Sequence, residues 1–422
     1  MCLLRFLLQS RSTLSRYLPD KAASSTAARR TPTPRPPPPQ EGHQRKLNLV
    51  IGNESCDLDS AVSALTLAFI YAGRQKDQDF VPVLNIPRID YPLKTEVRHM
   101  FQKCHITPEM LVFRDDLPEK LTNPDINVIL VDHHVNSWAA NVGEILDHRP
   151  MEKHPAVGHL PMHCVRHIEP ELGSCATLVG ERYMAEQEPR SADVTKLLHA
   201  TIVLDTINFS PTAKRFCARD LAMVEQLEQL QREDLDDGER KRLRCKLFDE
   251  LVAARADISK LTLFEVLRKD MKRLQTERHM VPMAGLPMLA RDFIDLPDAE
   301  NAIRQFGCGT NLLVLLGMYV PPVKGGQVMR DVALISLSGH APLVERVRQA
   351  LLACSTPSLD LRPHARDTNF MGGSFLRQHN VQATRKHILP VIRRVLQELE
   401  ASQRCDCDDV YFFKEKPKLG LS

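Results

Sequence analysis

Short apolar runs alternate with longer amphipathic stretches along the chain from residue 47 onward. Apolar runs at 47–51, 80–84, 110–113 and 126–131 have the length of strands, and the stretch at 60–72 is long enough for a helix. Strands that alternate with helices are typical of an α/β domain with a mostly parallel sheet. The pattern therefore predicts such a sheet for the first part of the chain.

A second, smaller α/β unit is predicted after residue 247. Thr262 and Glu265 have the spacing of a capping box, which marks the start of a helix. The helix that begins there is predicted to carry four basic residues: Arg268, Lys269, Lys272 and Arg273. Two further strands and two further helices are predicted at 311–319, 331–337, 342–353 and 385–399.

Two segments differ in composition from the rest. Residues 1–46 hold nine of the 56 basic residues, only two acids (Asp20 and Glu41), and six prolines between 31 and 40. Such a start resembles a mitochondrial transit peptide, and a solvated extension with a polyproline II spacer is the plainer alternative. Residues 234–244 are densely charged, which favours a solvated hinge. The predicted organisation is a disordered basic or leader-like extension, a first domain, a charged linker, a second domain and a tail, at 1–46, 47–232, 233–246, 247–400 and 401–422.

Charge and hydropathy exclude several classes of protein. The formal net charge is +3, but residues 47–422 contain 47 basic and 51 acidic residues. This part of the chain lacks the excess of positive charge that duplex nucleic acid requires. No apolar run reaches the roughly 18–20 residues of a membrane-spanning helix. The eleven cysteines include no CxxC pair, which favours free thiols over a zinc site or a disulfide framework.

Acids and histidines follow several predicted strands at the point where each strand ends. They are Asp57 and Asp59 after the run at 47–51, Asp132, His133 and His134 after the run at 126–131, and Asp147 and His148 after the apolar pair at 145–146; Asn53 and Arg149 lie beside them. Brought to one sheet edge, the acids would repel one another unless cations lay between them. Carboxylate oxygens are the ligands that Mg²⁺ and Mn²⁺ prefer. Taken alone, Asp59 or Ser60 would equally well cap the following helix.

Asp205 is a further acid in an apolar context. It shares a predicted helix face with Leu197, Leu198 and Thr201. A buried acid needs a partner, and either a metal ion or an arginine would serve. Beside the strand-end acids, Asp205 is a candidate metal ligand.

These motifs, taken in order, resemble those of the DHH phosphoesterase superfamily. They are GNxxxDxDS at 52–60, DHH at 132–134, DHR at 147–149, GSCAT at 173–177 and LDTIN at 204–208. The resemblance is greatest to the branch that holds family II inorganic pyrophosphatases, short-chain exopolyphosphatases and the animal Prune proteins, and it runs from about residue 47 to about residue 400. It implies a parallel-sheet catalytic domain, a smaller DHHA-type accessory domain and an active site in the cleft between them.

The resemblance also implies roles for individual residues. Five are implied to bind two divalent cations, Mg²⁺ or Mn²⁺: Asp57, Asp59, Asp132 as the bridging ligand, His148 and Asp205. Three are implied to act in catalysis or to line the site: His133, His134 and Arg149, the last facing substrate phosphate. Three of the second domain are implied to bind substrate: Lys272, Arg385 and Lys386. Asn53 stands where the pyrophosphatases have a histidine, and it is a weaker ligand. We therefore expect a weaker preference for Mn²⁺ over Mg²⁺.

The function implied is a metal-dependent phosphohydrolase that releases terminal phosphate from short polyphosphates by two-metal activation of water. Two alternatives stay open: a cyclic-nucleotide phosphodiesterase, and a Prune-like signalling protein with weak turnover. Expected partners are a short polyphosphate or another phosphate-ester small molecule, together with signalling proteins; a membrane or a nucleic acid is not expected. The resemblance favours the cytoplasm, with the nucleus as an alternative, whereas residues 1–46 favour mitochondria.

Overall fold

The computed structural model describes residues 2–18, 45–151, 154–186, 190–231, 233–319, 321, 327–337, 341–364 and 370–411. The chain divides into two compact units, Met1–Asp257 (unit 1) and Ile258–Ser422 (unit 2). Both units are α/β, which confirms the predicted fold class. The predicted cleft between two domains stays a prediction.

Unit 1 contains a six-stranded sheet in which every pairing is parallel. Its strands are Leu47–Ile51 (β1), Asp79–Leu84 (β2), Val112–Phe113 (β3), Ile126–Val131 (β4), Val142–Asp147 (β5) and Val165–Ile168 (β6). They lie in the order β3-β2-β1-β4-β5-β6, so the direction of succession reverses between β1 and β4. The crevice outside the carboxyl ends of the strands at such a switch point is where open α/β sheets bind ligands.

The helices of unit 1 pack around this sheet. They are Leu3–Tyr17 (α1), Leu58–Arg74 (α2), Thr95–Lys103 (α3), Pro155–Gly158 (α4), Cys175–Met184 (α5), Ala192–Asp205 (α6), Ala218–Gln231 (α7) and Asp237–Ala256 (α8). β1 is buried along its whole length and α2 is buried along most of its own. Because a parallel strand is covered on both faces, a continuous apolar run is its signature, and the four predicted strands correspond to β1–β4.

Residues 2–18 contradict the prediction of a disordered extension. Four apolar side chains and one serine of α1 are buried in unit 1: Leu3, Phe6, Leu7, Ser10 and Leu14. The Tyr17 hydroxyl donates a hydrogen bond to the Asp79 carboxylate over 2.8 Å. The apolar residues recur at helical spacing, so they form one face that packs on the domain despite the basic composition. The proline-rich part of the predicted leader lies outside the described residues.

The charged stretch near residue 240 is helical, so the predicted linker at 233–246 is wrong. Asp236 caps α8 by accepting a hydrogen bond from the Glu239 backbone N–H over 2.8 Å. Further along α8, Leu251 is fully buried and Glu250 contacts His99 of α3. The charged residues therefore belong to a helix of unit 1, and the boundary between the units follows Asp257.

Unit 2 contains a mixed sheet of six strands. They are Met271–Gln275 (β7), Met280–Leu286 (β8), Leu312–Tyr319 (β9), Met329–Ser336 (β10), Leu361–Pro363 (β11) and Ser374–Gln378 (β12). Their order is β11-β12-β10-β9-β8-β7. β8 and β9 pair in parallel, and the other pairs are antiparallel. The helices are Leu263–Lys269 (α9), Ala290–Phe293 (α10), Ala299–Phe306 (α11), Ala341–Leu352 (α12) and Arg385–Tyr411 (α13).

Two predictions for unit 2 are wrong in extent. The capping box of Thr262 and Glu265 is present, but α9 ends at Lys269, and Lys272 and Arg273 lie on β7. The pairing of β7 with β8 buries Leu274 and leaves Lys272 and Arg273 exposed. The tail predicted at 401–422 begins later, because α13 continues to Tyr411; residues 412–422 lie outside the described residues. Among the described residues, no helix combines the length and apolar character needed to span a bilayer.

Candidate active site

Two carboxylates and a histidine meet at the switch point of unit 1. Asp59 lies in the first turn of α2 after β1, Asp132 follows β4, and His148 follows β5. One ligand atom of each lies within 4.8 Å of the other two. His148 Nε2 is 3.1 Å from Asp132 Oδ1 and 3.7 Å from Asp59 Oδ2. Among the described residues these three form the group with the geometry of a metal site, and we call them the acid–histidine cluster.

The amino-terminal end of α5 holds the Asp59 carboxylate. The backbone N–H groups of Cys175 and Ala176 donate hydrogen bonds to it over 2.7 and 2.8 Å, and the Ser174 hydroxyl donates a third over 3.0 Å. The position before this turn, residue 173, has room only for glycine, because a Cβ there would lie 2.2 Å from a backbone carbonyl oxygen. The GSCAT motif thus orients Asp59, a role that its sequence alone does not reveal.

Asp57 and Asp205 lie beside the acid–histidine cluster. Burial raises the pKa of Asp205 well above its usual range, and the charges of Asp59 and Asp57, with a hydrogen bond to Asp59, raise it further. Burial and the charge of Asp59 also raise the pKa of Asp57. Four acids therefore lie close together, two of them buried and two half-buried, where a cation would stabilise their charged forms.

The Asp132 carboxylate accepts hydrogen bonds from several residues of the site. The residue itself has a left-handed backbone (φ 60°), which is uncommon for a residue with a side chain. Its carboxylate accepts hydrogen bonds from His148 Nε2 and from Arg149 Nη2, the latter over 3.2 Å. Burial and the charge of Asp59 raise the pKa of Asp132 to about 7, despite the His148 hydrogen bond. Burial lowers the pKa of His148, but the hydrogen bond to Asp132 and the charge of Asp59 outweigh it and raise the value to about 9.

Asn53 orients Asp132 with its amide nitrogen. Asn53 Nδ2 donates a hydrogen bond to Asp132 Oδ2 over 2.6 Å. Its Oδ1, the atom that could bind a metal, accepts hydrogen bonds from the backbone N–H groups of Ser55 and Cys56. Because these donors fix which atom is oxygen, the amide orientation follows from the network. The structure therefore gives Asn53 a positioning contact in place of the weak ligation considered from the sequence.

His133 and His134 are both buried next to Asp132. His134 Nδ1 is 2.6 Å from Asp147 Oδ2, and the other oxygen of Asp147 accepts hydrogen bonds from the backbone N–H groups of His148 and Arg149. His133 Nδ1 is 3.0 Å from the Val131 carbonyl oxygen, and burial lowers its pKa to about 4. Asp147 thus orients His134 of the first motif and the backbone of His148 and Arg149 in the second. The sequence implied roles for these neighbours but none for Asp147 itself.

Lys272, Arg385 and Lys386 all lie in unit 2. Arg385 donates from Nη2 to Asp270 Oδ1 over 2.7 Å and from Nη1 to the Asp270 carbonyl oxygen over 2.9 Å. This brings Arg385 next to the start of β7, the strand that carries Lys272. The side chains of both lysines are exposed. Their contact with substrate stays a prediction.

Comparison with known proteins places the chain in a family. The DHHA2 domain family matches residues 249–395. Human exopolyphosphatase PRUNE1 is 35% identical over 363 residues, which span 83% of this chain and 76% of the human protein. The chain belongs to the Prune family. Bovine PRUNE1, another member of the Prune family, is 34% identical over 362 residues, with the same two coverages.

A solved structure of a candidate family II inorganic pyrophosphatase from Methanococcus jannaschii also matches. The likeness covers 82% of this chain and 99% of that one, at 18% identity and a TM-score of 0.44. This structural likeness is too low to assign a family, so the assignment to the Prune family rests on the PRUNE1 sequences alone.

The donor atoms of this Prune-family chain fit a divalent cation. Carboxylate oxygens with one imidazole nitrogen suit Mg²⁺ and Mn²⁺ better than soft metals, which favour thiolates. The raised pKa values of Asp57, Asp132 and Asp205 point the same way, because clustered buried acids need positive charge nearby. The acid–histidine cluster is therefore a candidate metal centre.

Proposed function

We propose that this phosphohydrolase is a short-chain exopolyphosphatase that uses two divalent cations, Mg²⁺ or Mn²⁺. The convergence of Asp59, Asp132 and His148 at the switch point is the observation on which the proposal rests. The PRUNE1 proteins that the chain resembles are named exopolyphosphatases, which supports a polyphosphate substrate.

Five residues would hold the cations: Asp57, Asp59, Asp132, His148 and Asp205. Bound there, divalent cations would lower the pKa of a water molecule and offset the charge of the phosphate chain. Hydrogen bonds from α5 hold Asp59 and a hydrogen bond from Asn53 holds Asp132, so both carboxylates would be oriented by groups that are not themselves ligands.

Arg149 is placed to bind the anionic substrate. Its guanidinium is 46% exposed and lies 3.2 Å from Asp132, so a positive charge borders the acids on the solvent side. A guanidinium can donate two parallel hydrogen bonds to a phosphate group. The lysines of unit 2, Lys272 and Lys386, would supply further positive charge.

The first prediction is the test of this function. Asp132→Asn should lower Mg²⁺-dependent phosphate release from tripolyphosphate by about a hundredfold or more, because it removes a charged ligand from the centre of the cluster. Asp77→Asn is the matched control, since Asp77 is an exposed acid of the same unit. Equal activity of Asp132→Asn and wild type would refute the assigned site.

The same assay separates the alternatives. A signalling scaffold without turnover would release no phosphate in either form. A phosphodiesterase would cleave a cyclic nucleotide faster than tripolyphosphate. Trp138 does not support nucleotide recognition, because it is buried and its Nε1 donates to the Glu119 carbonyl oxygen.

Metal affinity should rise with pH. Burial and the charge of Asp59 raise the pKa of Asp132 to about 7, and the hydrogen bond to Asp132 with the charge of Asp59 outweighs burial and raises that of His148 to about 9. Ligation needs the charged carboxylate and the neutral imidazole, so both protons must leave when a cation binds. Affinity for Mg²⁺ should therefore increase between pH 6.5 and 8.5, with proton release. Calorimetric titration in two buffers of different ionisation enthalpy measures both quantities, and a flat affinity without proton release would contradict the assignment.

Asn53→His should change the choice of metal. An imidazole would add a nitrogen ligand and remove the hydrogen bond from Asn53 Nδ2 to Asp132. We expect the ratio of Mn²⁺ to Mg²⁺ affinity to rise by about tenfold. Asn53→Gln, which keeps an amide, is the control. The account fails if histidine and glutamine give the same ratio.

A further inference from the structure

Asp220 is a fully buried acid that lies outside the acid–histidine cluster, in the first turn of α7. Its Oδ2 accepts hydrogen bonds from the backbone N–H groups of Cys217 over 2.8 Å and of Gly173 over 2.9 Å, and its Oδ1 accepts one from the Thr177 hydroxyl over 2.6 Å. These three donors are uncharged. Burial of a carboxylate without a positive partner is costly, so the position calls for an explanation.

Helix capping explains one of these three contacts. Cys217 immediately precedes α7, and an acid in the first turn of a helix commonly accepts a hydrogen bond from the N–H group just before it. An exposed acid would do this equally well. Gly173 and Thr177 lie more than forty positions earlier in the chain, at the amino-terminal end of α5. The burial of Asp220 is therefore connected with α5.

The peptide unit between Leu172 and Gly173 joins Asp220 to His148. Its N–H group donates to Asp220, and its carbonyl oxygen lies 3.1 Å from His148 Nδ1. Because a carbonyl oxygen can only accept, Nδ1 carries the proton, and Nε2 is the nitrogen that faces Asp132. A peptide unit is planar, so an acceptor that fixes the direction of its N–H group also fixes the direction of its carbonyl. Asp220 thereby orients the His148 ring.

The charge of Asp220 should also strengthen His148 as a metal ligand. A charged acceptor makes a stronger hydrogen bond, and hydrogen bonds in a chain polarise one another. The Leu172 carbonyl is therefore a better acceptor for the His148 Nδ1 proton when Asp220 holds the other side of the peptide unit. Metal-binding histidines usually donate their second N–H to a carbonyl or a carboxylate, and this contact makes the ligating nitrogen more basic.

Asp220 also holds the segment that orients Asp59. The three donors to Asp59 belong to residues 174–176. Asp220 accepts hydrogen bonds from Gly173, just before these residues, and from Thr177, just after them. One buried carboxylate thus supports the contacts of two proposed metal ligands that follow different strands.

We propose that Asp220 is a positioning residue of the metal centre, which orients His148 through one peptide unit and Asp59 through the amino-terminal end of α5. The inference rests on the proposed function, in which His148 and Asp59 bind the cations. Both oxygens of Asp220 accept hydrogen bonds from the chain itself, so Asp220 acts through these ligands and is not assigned as one of them.

The first measurement needs no metal ion. In the metal-free full chain with isotope-labelled histidine, the proton on His148 Nδ1 should give a slowly exchanging NMR resonance, which is assigned by its loss in His148→Gln. Asp220→Ala should abolish this resonance, because the peptide unit loses its acceptor. Asp220→Asn keeps an acceptor oxygen without the charge, so it should retain the resonance but shift it upfield. Absence of the resonance in wild type, or an unchanged resonance in both variants, would overturn the proposal.

The second measurement is the affinity for Mg²⁺, by calorimetric titration. Asp220→Asn should weaken binding by about 10–100-fold, as loss of a residue that supports a metal ligand commonly does. At saturating Mg²⁺, kcat for tripolyphosphate should fall while KM stays unchanged, because the proposed phosphate-binding side chains are all present. Asp331→Asn is the matched control: Asp331 is also buried and accepts hydrogen bonds from two backbone N–H groups, those of Ala290 and Arg291, but it lies in unit 2. It should leave Mg²⁺ affinity at the wild-type value.

The outcomes separate this proposal from the proposed function. If Asp132→Asn abolishes Mg²⁺ binding but Asp220→Asn binds Mg²⁺ as wild type does, the role of Asp220 is refuted and the metal centre stands. Equal weakening by Asp220→Asn and Asp331→Asn would also refute it, because general destabilisation would then explain the loss. If Asp132→Asn and wild type bind Mg²⁺ equally, the metal centre itself is wrong, and the role of Asp220 is refuted together with it.

Discussion

Asp205→Asn should raise the melting temperature of the metal-free protein by about 3–6 °C and lower tripolyphosphate turnover by about a thousandfold. Burial and the charges of Asp59 and Asp57 raise the pKa of Asp205. A folded-state pKa above the unfolded value means that ionisation of this group opposes folding at neutral pH. Asparagine keeps the shape, removes the charge and can donate to Asp59. Active-site acids commonly carry a stability cost of about 1–2 kcal/mol, and each kcal/mol is about 2–4 °C for a domain of this size.

The same substitution removes a candidate ligand. Loss of about 4 kcal/mol of transition-state stabilisation is a thousandfold in rate. Thermal melts with and without Mg²⁺ measure the first effect, and the cation should stabilise wild type more than the variant. Asp193→Asn is the matched control because Asp193 lies in the first turn of the same helix, away from the cluster; it should leave turnover unchanged and lower stability slightly. A lower melting temperature for Asp205→Asn, or retained turnover, would contradict this account.

The sheet of unit 1 and its strand-end acids could be predicted because one physical pattern controls both. β1 and β4 are buried on both faces, so they are continuous apolar runs with clear ends. Parallel strands bring their carboxyl ends to one edge, so Asp59 and Asp132 had to lie close together once the strands were recognised.

The contacts that orient these acids could not be predicted. Asp59 is held by backbone N–H groups of Cys175 and Ala176, which lie more than a hundred residues later. Backbone donors leave no side-chain signature. Asn53 had the right position for a ligand, but the local turn uses its oxygen and turns its nitrogen toward Asp132. Such choices depend on three-dimensional packing, which residue type does not determine.

Composition was misleading at two helices. The basic, serine-rich composition of residues 1–46 favoured a disordered extension, and the dense charge near residue 240 favoured a linker. Residues 3–17 and the stretch near residue 240 fold as helices of unit 1, because Leu7 and Leu251 lie on apolar faces that are buried. The overall composition of a segment does not reveal whether its apolar residues share one face. Periodicity is the better guide where the two disagree.

Leu7→Ala should destabilise unit 1 by about 2–5 kcal/mol, because it removes a fully buried side chain and leaves a cavity. Leu7 belongs to the main apolar core of the unit, and Phe6 beside it meets Phe69 of α2 with ring centres 5.7 Å apart. α1 is therefore part of the core. A processing step that removed residues 1–46 would expose that core surface.

Leu8→Ala is the matched control, since Leu8 is the next residue of the same helix and is 59% exposed. Its cost should stay within about 0.5 kcal/mol. Both variants remove the same atoms from a leucine side chain, and the two positions differ in burial. The difference between their urea midpoints therefore measures how much the packing of α1 stabilises unit 1. A solvated or removable leader would give equal midpoints for both variants and for wild type, because neither leucine would then lose contacts.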